Sequence, residues 1–354
     1  MIDTQTFLEE LISLPGLSAY ESPIARVIRE RWQSLTDEVH VSRVGSVEAL
    51  KRGQMESSRP VIMVATHMDG IGLMVSDIAE VFLRVTAVGG VDARILPGQQ
   101  VLVHVADGDA LPGIVVQPPA RLLPTMASGD PLPINYLLVD VGLSAREVSR
   151  RVQVGDVVSF ATEPVKMAGG ILAGHSLDNR ASVAALTHAL DILQTRRHAW
   201  DLWAVATVQE EVTLLGAATS AFGLRPDLAM AVDVTFAEGP GAKDWRTFPL
   251  KGGPVLAMGP NIHPFLLKKL QETADALEMS YAVEMMPGMS GTDAIALQIA
   301  AEGIPTAVLG MPLRYMHTPV EMVSIQSVER VGRLLAEWIT RLTPDFLDSI
   351  TWDE

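Results

Sequence analysis

The sequence predicts an α/β fold, in which helices flank a sheet and a small all-β insert interrupts it. Short apolar runs alternate with helical patterns in residues 1–69 and again in residues 165–354. Between them, segment 70–164 has strand-like runs separated by Gly, Pro and Asp turns, such as VFLRVTAV and QQVLVHVA. A chain of 354 residues is long enough for more than one core. We therefore expect one α/β domain formed by residues 1–69 and 165–354, with residues 70–164 as an inserted β domain.

The first part of the α/β domain reads as two helices and a buried strand. Residues 3–34 contain two amphipathic segments separated by a turn at Pro15 and Gly16. The apolar run PVIMVA then ends in the polar residues Thr66, His67, Met68 and Asp69. We expect a strand that is buried on both faces and has a polar end.

After residue 170 the chain returns to alternating strands and helices. Asp178 stands just before or at the start of a long helix, and the final helix covers about 325–342. Three further apolar runs predict strands, each followed by residues that can bind metal. These are 202–208 before Glu210 and Glu211, 228–232 before Asp233, and 306–309 a few residues before His317.

Composition narrows the class of protein. The chain has 42 acidic and 27 basic residues, a formal charge of −15, and no basic cluster interleaved with aromatic residues, so we expect no nucleic-acid partner. No apolar segment is long enough for a membrane span, and the amino-terminal MIDTQTFLEELISL carries acids where a signal peptide would be basic and then apolar. We therefore expect a cytoplasmic protein without a membrane partner. Because there is no cysteine, any metal must be bound by His and carboxylates.

The polar strand ends point to a metal site. In open α/β sheets, ligands bind outside the carboxyl ends of the strands, and buried carboxylates require a cation, a proton or another partner. Each residue also has an ordinary structural interpretation: Asp178 could cap its helix, Asp233 could cap a turn, and His67 could be a hydrogen-bonded core histidine. Their shared position at strand ends and a helix start favours a site for zinc, cobalt or manganese.

Six motifs resemble those of the tetrahedral (TET-type) dinuclear metallo-aminopeptidases. This family includes glutamyl and lysyl aminopeptidases and some members with an endoglucanase label. The motifs are HMD at 67–69, LDNR at 177–180, QEEV at 209–212, VDVT at 232–235, SGTDA at 290–294 and RYMHTPVE at 314–321, and the segment LPGLSAYE is similar to the amino-terminal motif of the family. Beyond QEEV, Thr213 and Leu215 depart from the Gly-Leu-Arg-Gly sequence that is usual there.

The resemblance implies a fold, a ligand set and an assembly. It implies a zinc-exopeptidase-like mixed sheet and two divalent metal ions per subunit, with zinc first and cobalt or manganese as alternatives. The implied ligands are His67 and Asp233 for one ion and Glu211 and His317 for the other, with Asp178 bridging them. Glu210 matches the general base, and Asp69 matches the acid that orients His67. The β-barrel-like insert would mediate dimerisation and assembly into a hollow tetrahedral dodecamer.

The leading functional hypothesis is a metal-dependent aminopeptidase that acts on short peptides. Two metal ions would activate a water molecule, and Glu210 would accept its proton. A related dinuclear metallohydrolase, either a deacylase or a carboxypeptidase, is the alternative, and an inactive self-assembling scaffold is a third hypothesis. A glycosidase is disfavoured, because adjacent Glu210 and Glu211 cannot face each other across a scissile bond.

Overall fold

The structure is a computed structural model that describes residues 2–55, 59–106, 108–119, 121, 123 and 132–351. Its strands share two sheets, described below. They are β1 Glu38–Val41, β2 Val47–Lys51, β3 Val61–His67, β4 Gly72–Ala79, β5 Phe82–Val88, β6 Gln100–His104, β7 Leu111–Val116, β8 Leu138–Asp140, β9 Val157–Phe160, β10 Val165–Met167, β11 Ile171–Gly174, β12 Asp201–Thr207, β13 Leu228–Phe236, β14 Val255–Met258, β15 Ala282–Met285, β16 Thr306–Arg314 and β17 Glu321–Ser324. The α-helices are α1 Thr4–Ile12, α2 Ser22–Gln33, α3 Ala145–Arg151, α4 Leu177–Ile192, α5 Glu210–Thr213, α6 Leu215–Leu224, α7 Pro264–Ala276, α8 Ala294–Gln298 and α9 Ile325–Thr340.

The larger sheet has eleven strands within the described residues and mixes parallel with antiparallel pairs. Its main order is β1-β2-β12-β3-β13-β16-β17-β11-β10, and β14 joins it at β16 and β15 at β14. The centre is parallel, since β12 and β13 flank β3 and β16 flanks β13 in the same direction. Parallel strands with both faces covered by helices read as continuous apolar runs, which explains why these strands were visible in the sequence.

Helices on both sides of this sheet bury its faces. The amphipathic helix α9 packs against α4, and α4 in turn packs against α1 and β3. Nearly all of α4 is buried, including the polar residues Asn179, Arg180 and Thr187. Helix α4 therefore crosses the core of the domain, and its amino end opens at the carboxyl edge of the parallel strands.

The second sheet is a closed antiparallel barrel with the order β4-β5-β8-β7-β6-β9. It encloses a separate apolar core that includes Leu73, Val103 and Val139. Closure leaves no unpaired edge strand, so a small barrel can be stable with one short core. The predicted fold class, an α/β sheet flanked by helices and interrupted by a small all-β unit, is confirmed.

Several elements differ in extent from those expected. The β insert also contains α3, whose seven residues are too few to show a helical period; Ser144 and Glu147 form a capping box at its start. Strand β13 continues beyond Asp233 to Phe236, and β16 continues to Arg314, because the two strands go on pairing with each other past the end of β3. No helix of the described residues is both long enough and apolar enough to cross a membrane.

Candidate metal centre

The parallel strands bring the predicted ligands to one edge of the sheet. His67 is the last residue of β3 and pairs in register with Thr207 at the end of β12. The β3–β13 pairing stops at Ala231, so Asp233 lies just beyond it on the same edge. His67 and Asp233 are both buried, and 3.7 Å separates the His67 Nε2 and Asp233 Oδ1 atoms.

Asp178 lies between the two histidines. Its Oδ1 is 3.2 Å from His67 Nε2, and its Oδ2 is 3.5 Å from His317 Nε2. The chain enters α4 through Ser176 in the left-handed region, and Asp178 itself has non-helical φ and ψ. Its backbone N–H donates to a carboxylate oxygen of Glu321 at 3.0 Å. Asp178 is therefore held before the regular helix, with both carboxylate oxygens directed at the cluster.

A tight turn after β12 directs the adjacent acids Glu210 and Glu211 to the same site. Gln209 has a φ of 57°, and α5 begins immediately after it, so the alternation of a strand no longer separates the two side chains. An Oε2 atom of Glu210 lies 3.7 Å from His67 Nε2, whereas Oε2 of Glu211 lies 3.5 Å from His317 Nε2. The bend needed for both glutamates to serve one site is present.

Asp69 supports both His67 and this turn. Its fully buried carboxylate accepts hydrogen bonds from the backbone N–H groups of Glu210 at 3.1 Å and Glu211 at 3.2 Å. One of its oxygens lies 3.5 Å from His67 Nδ1, and the Ser18 hydroxyl donates to the other at 2.5 Å. Asp69 thus links the imidazole of His67 to the backbone of the two glutamates.

His317 completes the cluster from a loop after β16. It adopts a φ of 62°, and its N–H donates to Glu321 at 2.9 Å. The barrel approaches it closely, since a Cβ added at Gly90 would lie 2.7 Å from the His317 ring nitrogen Nδ1. A side chain at position 90 would therefore displace His317.

Within the described residues, two groups of donor atoms are close enough to hold a metal ion. One comprises His67, Asp178 and Asp233, and the other comprises Asp178, Glu211 and His317; in each, the donor atoms lie within 4.8 Å of one another. Asp178 belongs to both groups. The predicted ligands are thus brought together as two triads that share one carboxylate. Such nitrogen and oxygen donors suit zinc, cobalt or manganese.

The electrostatics of the cluster also fit a cation. Burial raises the pKa of Glu211 to about 10, and the charge of Asp178 adds to the effect. Burial likewise raises the pKa of Asp233 well above its usual range. The Oε1 atom of Glu211 is buried and has no hydrogen-bond partner among the described residues. Acids in this position require positive charge from outside the protein.

The histidines compensate only part of this negative charge. Burial alone would raise the pKa of Asp178, but hydrogen bonds from His317 and His67 lower it. Burial would lower the pKa of His67, yet Glu210 and the hydrogen bonds to Asp178 and Asp69 raise it well above its ordinary value. A metal ion would replace the proton on His67 and coordinate the neutral ring.

Glu210 differs from its neighbour in a way that suits proton transfer. Burial raises its pKa to about 7, and the charge of His67 opposes that rise. A base whose pKa lies near neutral pH transfers protons most effectively at that pH. Glu210 lies outside both triads, so its carboxylate is available to a bound molecule.

Four supporting residues were not singled out in the sequence. Ser18 contacts Asp69, Glu21 accepts a hydrogen bond from Gln209 N–H at 3.1 Å, and Glu321 accepts those from Asp178 and His317. Asp293 accepts the Thr207 hydroxyl at 2.6 Å. The motifs LPGLSAYE, RYMHTPVE and SGTDA contain all four, but the residue types alone do not show that these residues lie behind the ligands.

A cavity of about 420 Å³ opens onto the cluster. Its walls include five predicted ligands, Glu210 and mostly apolar side chains. They are His67, Asp178, Glu210, Glu211, Leu214, Asp233, Val234, Thr235, Phe236, Glu284, Met286, Ser290, Gly291, Thr292, Ile295, Met316 and His317. A pocket of this size holds a small part of a larger molecule beside the metal-binding residues.

Comparisons with known proteins agree with this geometry. The M42 glutamyl aminopeptidase family model matches residues 45–334. A lysyl aminopeptidase of Pyrococcus furiosus is 34% identical over 97% of this chain and 99% of its own length. The solved structure of an aminopeptidase from the archaeon Desulfurococcus kamchatkensis has 31% identity and a TM-score of 0.91, covering 98% of each chain. The TET1 peptidase of Pyrococcus horikoshii, which can assemble into a tetrahedron or a large octahedral shell, has 27% identity and a TM-score of 0.82, covering 96% of this chain and 100% of its own.

Proposed function

The chain belongs to the M42 glutamyl aminopeptidase family and is an aminopeptidase, and we propose that it releases amino-terminal residues from short peptides at a two-metal centre. The observation that supports this proposal most strongly is the pair of donor triads with Asp178 in common. One shared carboxylate between two open triads is the arrangement that a dinuclear hydrolase requires.

The proposed division of labour follows the two triads. His67 and Asp233 hold one ion, Glu211 and His317 hold the other, and Asp178 bridges them. Asp69 orients His67 through Nδ1, so that Nε2 faces the ion. Zinc is the first choice, and cobalt or manganese suits the same donors.

The protein side chains then handle the proton and the substrate. Bound metal ions supply Lewis acidity and a nucleophile at neutral pH. Glu210 accepts a proton from the attacking water and donates it to the departing amine. The turn at Gln209, held by Asp69 and Glu21, keeps the Glu210 carboxylate beside His67. The cavity walls hold the first residue of the peptide against the centre.

A free amino terminus separates this proposal from its alternative, a dinuclear deacylase or carboxypeptidase. The test compares aminoacyl p-nitroanilides with their N-acetylated counterparts, in the presence of zinc, cobalt or manganese. The proposal predicts hydrolysis of the free-amine substrates only. Hydrolysis of the acetylated compounds at a similar rate would contradict an aminopeptidase and favour a deacylase.

We also propose that the protein is a cytoplasmic homo-oligomer, a dodecamer built from dimers. The tetrahedral assembly of the Pyrococcus horikoshii relative supports this proposal. Exposed apolar side chains, among them Phe222, Trp245 and Ile299, provide surface for self-association. We assign residues 1–69 and 165–354 to the catalytic domain and residues 70–164 to an assembly domain, which is supported by the separate core of the barrel. Sedimentation velocity tests the assembly, and a monomer at micromolar concentration would contradict it.

The printed names of its relatives include both lysyl and glutamyl aminopeptidases, so membership of the family leaves the preferred amino-terminal residue open. That preference must come from the walls of the cavity in this chain.

A further inference from the structure

The cavity at the metal centre contains one acid that has no part in the proposed metal binding or proton transfer. Much of its wall is apolar, and the side chains concerned are Leu214, Val234, Phe236, Met286, Ile295 and Met316. Apart from the five proposed ligands and Glu210, Glu284 is the only ionisable residue among those that line the described cavity. An isolated carboxylate in an apolar wall would fix the chemistry of whatever side chain enters.

Strand geometry places this carboxylate near the metal ligands. Thr235 is a side-chain hydrogen-bond partner of Glu284. Thr235 follows Asp233 by two residues on β13, so the two side chains project from the same face of the strand. Two residues of a strand span about 7 Å. Glu284 is therefore held roughly one side-chain length from the ion that Asp233 would bind.

The charge of the cavity favours a cation at this position. Two divalent ions would balance the carboxylates of Asp178, Glu211, Asp233 and Glu210, which leaves the negative charge of Glu284 uncompensated. Burial raises the pKa of Glu284, so ionising this carboxylate within the protein is unfavourable without a positive partner. An ammonium or guanidinium group would be that partner.

We propose that the cavity selects peptides that begin with Lys or Arg, and that Glu284 determines this specificity by binding the cationic tip of the first side chain. The inference rests on the proposed aminopeptidase function. The four-carbon stem of lysine spans on the order of 6 Å, which matches the separation between the metal end of the cavity and Glu284. The apolar wall packs against the stem, while Thr235 keeps the carboxylate directed at the tip.

Two other assignments compete with this one. The adjoining cavity of about 630 Å³ shares Phe236, Glu284 and Met316 and includes Arg246 and Arg314, so an acidic side chain could reach these cations. However, Arg246 already pairs with Asp244 at 3.2 Å, and Arg314 Nε donates to the Glu238 carbonyl. Alternatively, Glu284 could bind the α-ammonium group that every substrate has. The two roles of Glu284 differ in whether its loss affects all substrates or only the basic ones.

The experiment measures kcat/KM for the p-nitroanilides of Lys, Arg, norleucine and Glu with metal-loaded wild type, Glu284→Gln and Glu302→Gln. Norleucine has the stem of lysine without its amine. Glu302→Gln makes the same chemical change at an exposed residue that pairs with Arg225 on the surface. Metal content and thermal unfolding are measured on all three proteins, and Glu284→Gln is expected to match wild type in both.

We expect wild type to prefer Lys and Arg over norleucine and Glu. Glu284→Gln should lower kcat/KM for Lys and Arg roughly 10- to 100-fold, mainly through KM, and leave norleucine within about twofold. Equal losses on all four substrates would assign Glu284 to the α-ammonium group and overturn the inference. A wild-type preference for Glu or norleucine would also overturn it, while aminopeptidase activity itself would stand. If wild type hydrolyses none of the four, both the proposed function and this inference fall.

Discussion

Two buried charged groups stand two residues apart at the start of α4, and they are compensated in opposite ways. Arg180 is fully buried and donates to the carbonyls of Leu11 and Leu14 through Nη1, Gly16 through Nη2 and Met68 through Nε, at 2.6 to 3.3 Å. The protein itself thus supplies acceptors for the guanidinium group. This positive charge joins α1, the following turn and the end of β3 to the start of α4.

Asp178 belongs to a cluster for which the protein does not supply enough positive charge. Asp178, Asp233, Glu210 and Glu211 meet only two histidines, and one oxygen of Glu211 has no partner within the described residues. The difference separates a structural charge from a functional one. Dipoles of the fold satisfy Arg180, whereas the acids two residues away are arranged for a ligand.

The largest expected effect is on the functional side of this comparison. Glu210→Gln should lower kcat roughly 10²- to 10⁴-fold, because the amide cannot accept a proton, while the metal content stays near that of wild type. Steady-state kinetics and elemental analysis of the same sample check both parts. Loss of the metals together with activity would show that Glu210 is a ligand and that the assigned roles of the two glutamates are wrong.

The structural side is tested by removing the guanidinium group. Arg180→Met should lower the free energy of unfolding of the metal-free protein by about 3 to 5 kcal/mol, because it leaves several buried carbonyls without a donor. The control is Arg196→Met, which breaks a surface pair with Glu337 and should cost less than about 1 kcal/mol. Urea unfolding measures both. Equal values for the two variants would contradict a structural role for Arg180.

A smaller effect concerns His175, a third buried ionisable group in the same segment. Burial lowers its pKa to about 3, and the charge of Arg180 adds to the effect. Because the unfolded chain takes up a proton near pH 6.5 and the folded chain does so only near 3, wild-type stability falls as the pH falls through this window. At pH 5 the loss amounts to about 2 kcal/mol relative to pH 7.

The matched variant is His175→Gln, which should be less sensitive to acid by this amount. Urea unfolding of wild type and variant at pH 7 and pH 5 gives the difference. Parallel losses in the two proteins would show that His175 does not resist protonation in the folded state.

The sequence predicts most of the fold because the central strands are buried on both faces. Apolar runs such as PVIMVA and LAMAV have no other interpretation at their length, and Asp69 and Asp233 mark where they reach the edge of the sheet. By contrast, α3 has seven residues and shows too little periodicity to be recognised. The continuation of β13 to Phe236 depends on its partner β16, a long-range contact that local pattern does not report.

The candidate site follows the same rule. Residues at strand ends, His67 and Asp233, could be predicted because position along an apolar run determines where they lie. Glu21 and Glu321 could not, because their importance comes from hydrogen bonds to Gln209, Asp178 and His317 that the fold creates between distant segments. Glu284 is similar, since only the folded chain brings it beside Thr235.

The most direct test of the central claim, that the uncompensated acids form a two-ion site, is metal stoichiometry after reconstitution with zinc. Elemental analysis compares wild type with Glu211→Gln and Asp178→Asn. Wild type should bind two ions per chain, Glu211→Gln should lose one preferentially, and Asp178→Asn should weaken both, since Asp178 belongs to both triads. A single ion in wild type, or two tightly bound ions in Asp178→Asn, would contradict this account.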